Sequence, residues 1–450
     1  MIIEPAPLSF CRRLLVALTA GMASTLFSSI AAADAVIPGT FTIPATNTTL
    51  SLSGYVQFDA TYDFASRDPF VESHDYAAVT ARVPLDHGDE GKKRGQLYMT
   101  ARTTRIGFST ATPTAWADIE TRLEGDFWAG SLLSSQTFTN SVIYRLRHAY
   151  GTVSGRYGTL LVGQTWSTFS ILPASADTVD YNGPGSGAGA RQPMVRYEIP
   201  LPGAFRLALA AENAPGTDGD GITDGPGQPP IRRVLTVPDL IAQLSTSGPW
   251  GTASFAAVTN EYKDAGAPPQ DGYSKRGWGL SVGAAVNVFT DTVRVLVSGG
   301  RGIGRYMLGA GATGQGATNT GSEFVLWDAL GYQIDYTHAW TPRLRSNVIW
   351  SQTFFRNNGA STATAPYEAT IDPTTGTLVD PVVNQRLQEI YLNTFWKLNA
   401  QVEFGLEYAL AQRHTFGNDA APNPCVAGVL CGSQTGTMHR MTTTVHFNLF

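Results

Sequence analysis

Long apolar runs are missing from most of this 450-residue chain. Beyond the first thirty residues no window is long and uncharged enough to cross a bilayer as a helix, which excludes a helical membrane protein. Cysteine is scarce at 3, so a disulfide scaffold is excluded. Basic residues number 31 against 36 acidic ones, a formal charge of -5 that argues against nucleic acid as the main partner. The metalloprotease pattern H-E-x-x-H does not occur, and the 7 histidines are scattered. No catalytic residue, metal or cofactor is therefore assigned.

What the chain does have is glycine (47), tyrosine (17) and tryptophan (9), the residues of turns and strands. The stretch SLSGYVQFDATYDF from Ser51 shows the pattern at its clearest. Leu52, Gly54, Val56, Phe58, Ala60, Tyr62 and Phe64 share one face of an extended chain, and Ser51, Ser53, Tyr55, Gln57, Asp59, Thr61 and Asp63 share the other. AWADIETRLEGDF and QVEFGLEYAL repeat it, with Asp118, Glu120, Arg122, Glu124 and Asp126 on one polar face and Glu403 and Glu407 on another. About sixteen such segments follow one another between residues 50 and 450. Their connections alternate between short (SG, PLPG, FTD, TPR, KLN) and long, hydrophilic ones such as GTDGDGITDGPGQPP and GAGATGQGATNTGS.

One smooth end and one end of long loops is the layout of an outer-membrane barrel. In hydrocarbon every backbone N–H and C=O must be paired, so a spanning sheet closes on itself. The expected fold is an all-β transmembrane antiparallel barrel with short periplasmic turns and long extracellular loops. Trp250, Trp340 and Trp396 at the short-turn end, with Trp128 and Trp166 at the long-loop end, are read as two interfacial belts. Residues 1–33 carry Arg12 and Arg13, a short apolar run and an Ala31-Ala32-Ala33 ending, the layout of a cleaved secretory signal. Residues 34–49 form a short periplasmic segment and 50–450 the barrel. Cys425 and Cys431 remain as an even pair in an exported chain, read as a disulfide within the last long loop.

RTTRIGF, ETRLEGDFWAG, YRLRHAYGTV, LLVGQTWSTF, TVDYNGP and ARQPMVRYEIPL, in this order after the opening strand, resemble the DcaP-like trimeric porins. That resemblance spans roughly residues 50 to 200. It implies a sixteen-stranded homotrimeric channel in the outer membrane of a Gram-negative bacterium. It also implies a third loop folded into the lumen and a preference for small anionic organic acids. Some members carry a helical coiled-coil extension before the barrel; Pro38, Gly39 and Pro44 prevent one in DAVIPGTFTIPATNTT.

The candidate site is accordingly a lumen wall. Strand parity turns Arg105, Arg145, Arg147, Arg196, Arg206 and Arg294 inward, with Tyr144, Leu146 and Tyr150 toward lipid. Such a ladder attracts small organic anions such as dicarboxylates; bracing ion pairs to Glu120, Glu124 and Asp126 are the competing role. Residues 167–192 fit an extracellular loop equally well from their glycine content; the resemblance implies the constriction loop, with Asp177 and Asp180 facing the basic wall across an eyelet and Arg191 at the loop base. GAGATG at 309–314 has the form G-x-G-x-x-G but no helix pattern follows it, and DGDGITDG lacks the spacing of a calcium loop. The expected function is passive, partly selective diffusion of small hydrophilic solutes, in contact with outer-membrane lipid and lipopolysaccharide. A surface adhesin or receptor, and an outer-membrane hydrolase, are the alternatives.

Overall fold

The computed structural model describes residues 39–65, 80–86, 92, 94–128, 144–213, 222–224, 234–266, 272–311, 315–360, 370–371, 378–379, 383–417 and 434–449. Cys425, Cys431 and the signal segment 1–33 lie outside these. Sixteen antiparallel strands close into a barrel. In the first half they are β1 (Thr49–Ala65), β2 in two pieces (Gln96–Thr100 and Arg105–Pro113), β3 (Asp118–Asp126), β4 (Arg145–Gly155), β5 (Gly158–Trp166), β6 (Arg191–Leu201), β7 (Phe205–Glu212) and β8 (Asp239–Gly248). The second half comprises β9 (Gly251–Asp264), β10 (Tyr273–Val288), β11 (Asp291–Arg301), β12 (Asp328–Thr341), β13 (Leu344–Arg356), β14 (Asn384–Lys397), β15 (Val402–Thr415) and β16 (Thr435–Asn448). Each strand pairs with its chain neighbour, and β1 pairs with β16 from Tyr55↔Asn448 to Ala65↔His439, which leaves the ring without an edge. Arg440 crosses that seam to Asp63 through two hydrogen bonds of 2.6 and 3.0 Å.

The strands form because their sequences alternate, and the alternation sets the two faces. In β1, Val56, Phe58, Tyr62 and Phe64 point outward, while Gln57, Asp59, Thr61 and Asp63 are buried inside. The same holds far around the ring, with Val282, Leu330, Val348, Leu392 and Leu406 outside. Turns at the smooth end are tight: Gly248↔Gly251, Val288↔Asp291 and Thr341↔Leu344 close successive hairpins. Trp250 and Trp340 are exposed at this end, as an interfacial belt requires. Trp128 is not in a belt; it is buried and stacked on Tyr181 at 4.8 Å. Trp166 likewise serves cations, lying under Arg147 and Arg191. Outward-facing aromatics at the long-loop end include Phe64, Tyr144 and Trp278.

Three connections at the long-loop end turn into the barrel. Residues 167–190 run inside the ring, bonded to β8, β12, β14 and β15. The described residues of 302–327, around the polar stretch GAGATGQGATNTGS that suggests an exposed loop, instead bury Ile303, Tyr306, Met307 and Ala317. Within them Leu308–Gly311 is a single helical turn, and Ala317–Asn319 pairs antiparallel with Phe324–Leu326. The segment Phe324–Leu326 is thus part of the interior and not of β12, although it continues the strand pattern in sequence. Residues 80–86 add a smaller inward piece, with Ala81 and Val83 buried.

Candidate luminal site

The third loop is held by the wall opposite its root. Gln243 on β8 donates to the Thr168 carbonyl at 2.7 Å, and Gln333 on β12 donates to that of Ala174 at 2.8 Å. The amides of Val179 and Asp180 both donate to Glu407 on β15 at 2.8 Å, and the Gly185 amide donates to Glu389 on β14 at 3.0 Å. Buried carboxylates receive backbone N–H groups here, which satisfies both partners at once. The wall also leaves room. A Cβ on Gly331 would lie 2.7 Å from the Ser186 carbonyl oxygen and 2.9 Å from its Cα. A Cβ on Gly283 would come within 2.8 Å of the Ala174 side chain. The loop's return leg is sealed by the second inner segment, with Gly189 donating to Tyr306, Leu308 to Gly187 and Gly309 to Gly185 at 2.9–3.1 Å.

Asp177 and Asp180 do not face the basic wall. Asp177 is paired with Arg345 on β13, Nη2 to Oδ1 at 3.1 Å, and its carbonyl accepts from Asn347 and Asn393. The Asp180 carboxylate accepts the amides of Asn182 and Gly183 at 3.0 and 3.1 Å and shapes the loop's own turn. Tyr181 is the residue that reaches the basic wall: its hydroxyl accepts from Arg145 at 3.1 Å and from Arg147, and donates to Asp126.

Around that hydroxyl the arginines converge. Arg145 holds Asp126 with two bonds of 3.0 and 2.9 Å. Arg147 bridges Glu124 and Asp126 at 3.0 Å each. Arg105 reaches Glu124 at 3.5 Å and covers Tyr55, while Arg122 reaches Glu124 at 2.6 Å and keeps 44% of its side chain exposed. Arg191 opens β6 at the loop base, its guanidinium 4.3 Å over the Trp166 ring. Four guanidiniums, Arg105, Arg122, Arg145 and Arg147, therefore share two carboxylates, Glu124 and Asp126. Toward the short-turn end Arg196 and Arg206 face inward and meet Glu198 at 3.1 and 3.5 Å. Arg294 is inward too but lies elsewhere, on β11, bonded to Asp335 and Thr337 at 3.0 and 2.7 Å.

Tyr150 is a correction to simple parity. The register slips between Glu124↔His148 and Gly125↔Leu146, which leaves Arg147 as the extra residue of a bulge. One unpaired residue shifts the alternation of everything after it. Arg147 and His148 both point inward, and Tyr150 faces inward opposite Arg122. The bulge is what allows two neighbouring positions to meet Glu124 and Thr165, at 3.0 and 2.9 Å.

Residues 34–247 match the family described as DcaP outer membrane protein. The match is confined to that span, a little under half of the chain. The outer membrane channel DcaP of Acinetobacter baumannii superposes with a TM-score of 0.68 at 23% identity, over 91% of this chain and 99% of that one. An anion-selective porin from Comamonas acidovorans gives 0.52 at 11% identity, over 89% and 100%. The trimer form of OmpT, an outer membrane protein of Vibrio cholerae, gives 0.50 at 9% identity, over 89% and 99%. No curated protein matches the chain. The family match and the closed barrel together support an outer-membrane channel.

Sequence reasoning missed the anchors. Glu389, Glu407 and Arg345 lie on inward positions of their strands, and parity alone would have turned them inward. Their pairing with loop amides and Asp177 has no trace in local sequence, because the partners are 168 to 228 residues apart. Tyr181 stands in TVDYNGP, one of the stretches that carry the resemblance, but nothing local marks its contact with Arg145 and Arg147.

Proposed function

We propose that this channel passes small hydrophilic solutes passively and favours small organic anions such as dicarboxylates. One observation carries the reading: the wall of β2–β4 holds Arg105, Arg122, Arg145 and Arg147 against Glu124 and Asp126, an excess of positive charge inside a closed barrel. Most of the loop's anchors lie on β8, β12, β14 and β15, and on the basic wall only Tyr181, among the described residues, bonds Arg145, Arg147 and Asp126, so Arg122 keeps its approach to the solute. Arg122 and Arg206, 44% and 60% exposed, are the members with a free approach; their inward parity means that the water they meet is luminal. Arg145 and Arg147 set the field and brace the wall, while Arg196, Arg294 and Arg191 extend the positive surface. A fixed cation that is half solvated draws an anion and releases it, as conduction requires.

The protein works as a homotrimer in this reading, joined through the first strands. Thr110 and Thr121 on the outer face of β2–β3 bond to each other at 2.6 Å, a polar patch better suited to a protein neighbour than to lipid. Export by a cleaved signal over residues 1–33 completes the proposal. Planar-bilayer recording of the Arg122→Gln, Arg206→Gln double variant under a salt gradient tests the selectivity. The reversal potential should move toward cation preference, more at low than at high salt because screening is weaker there. An unchanged reversal potential and unchanged dicarboxylate flux would defeat it.

A further inference from the structure

On the outer wall, at the long-loop end, one row of side chains runs across six strands. Arg301 on β11 pairs in register with Asp328 on β12, and Asp328 with Arg356 on β13. Phe354, two residues below Arg356, pairs with Arg386 on β14, which pairs with His414 on β15, which pairs with Thr435 on β16. Cross-strand partners share a face. Leu330 of β12 and Val348 of β13, exposed at the same parity, show that this face is the outer one. The extra residue of a bulge at Gln385 brings it to the same surface beside Arg386.

Here the wall is hollowed into a groove of about 680 Å³ lined by Asp328, Leu330, Phe354, Arg356, Arg386 and His414. Its chemistry is two-sided. Below lie Tyr332 and Trp350, packed edge to face at 5.3 Å, and Phe354 stacked on Tyr332 at 6.1 Å. Above lie three guanidiniums with one carboxylate in the row, and that carboxylate, Asp328, is held by Arg301 at 2.7 and 3.3 Å. Arg386 donates to His414 Nε2 at 2.8 Å, a neutral partner that leaves the cation uncompensated within the row.

We propose that this groove binds a phosphorylated glycolipid of the outer leaflet, with Arg356 and Arg386 on its phosphate and the aromatic floor against its acyl chains. The row sits where strands end and loops begin, the height of headgroups. Arginine matches phosphate geometry in bidentate fashion, and basic pockets beside apolar surface are suited to anionic lipid headgroups. A soluble phosphate would share the arginines but has no use for the apolar floor. The proposal rests on the outer-membrane placement and is independent of the anion selectivity of the lumen.

The test is native mass spectrometry of the full-length protein in nanodiscs containing bisphosphorylated lipid A, against the Arg356→Gln, Arg386→Gln double variant. Single-channel conductance checks the fold of the variant, since neither residue lines the lumen. The expected result is bound lipid A on the wild type, with affinity falling about fivefold for each arginine removed. Dephosphorylated lipid A should bind the wild type as weakly as lipid A binds the variant, and millimolar inorganic phosphate should not displace the lipid. Equal retention by wild type and variant would overturn the proposal. So would equal retention of the dephosphorylated lipid, or displacement by inorganic phosphate, which would assign the groove to a soluble anion.

Discussion

Asp177 and Arg345 are 168 positions apart in sequence and are joined across the barrel interior, Nη2 to Oδ1 at 3.1 Å, with both side chains largely shielded. This pair ties the third loop to β13, and Glu403 stands at 3.4 Å from the same guanidinium. Removing the aspartate leaves a buried cation with a single weak partner, a loss on the order of 3 kcal/mol in loop anchoring. The Asp177→Ala channel should show larger and noisier single-channel conductance with the barrel intact. Current traces indistinguishable from wild type would mean that the backbone bonds to Glu407 and Glu389 suffice.

Gly331 offers a steric test of the same contact. An added side chain there meets the Ser186 backbone at 2.7 Å, and a backbone cannot swing aside as a side-chain tip can. Gly331→Val should displace the loop's return leg and alter conductance, at a cost of about 1–3 kcal/mol for an overpacked site. Thermal denaturation in detergent measures the cost, and conductance reports the displacement. A variant unchanged in both would contradict the packing described.

The four clustered arginines should separate into two kinds. Arg145→Gln strips buried Asp126 of a bidentate partner and should lower thermal stability by about 2–3 kcal/mol, because Arg147 and Tyr181 remain. Arg122 is 44% exposed, and Arg122→Gln should leave stability within about 0.5 kcal/mol of wild type while reducing anion preference. Equal stability losses for both would show that Arg122 braces the wall too.

Cys425 and Cys431, which lie outside the described residues, are proposed to form a disulfide. The loop between them is short, so reduction should leave barrel stability nearly unchanged, because the closed hydrogen-bonded sheet supplies it. Peptide mass mapping after alkylation without reductant should find neither thiol modified; alkylation of both would reject the bond.

The fold was legible because its cause is local. A strand between water and lipid must alternate, and each of the sixteen segments records that requirement in its own residues. Smooth and looped ends were legible for the same reason, as were the inward arginines, whose direction follows from apolar neighbours such as Ile106 and Val295. Local parity failed where one residue was inserted: the bulge at Arg147 turned Tyr150 inward, and the two-versus-one count depends on the partner strand. Tertiary structure alone decided what fills the barrel. Residues 309–322 read as a polar loop, yet their described part packs inside the ring, where Gly185 and Gly189 let the two loop backbones pair. Asp177 found Arg345, and Glu407 found the amides of Val179 and Asp180, only once ring closure brought the far wall within a few ångströms of the loop. Alternation is written residue by residue, whereas a contact across a closed ring belongs to two distant stretches at once.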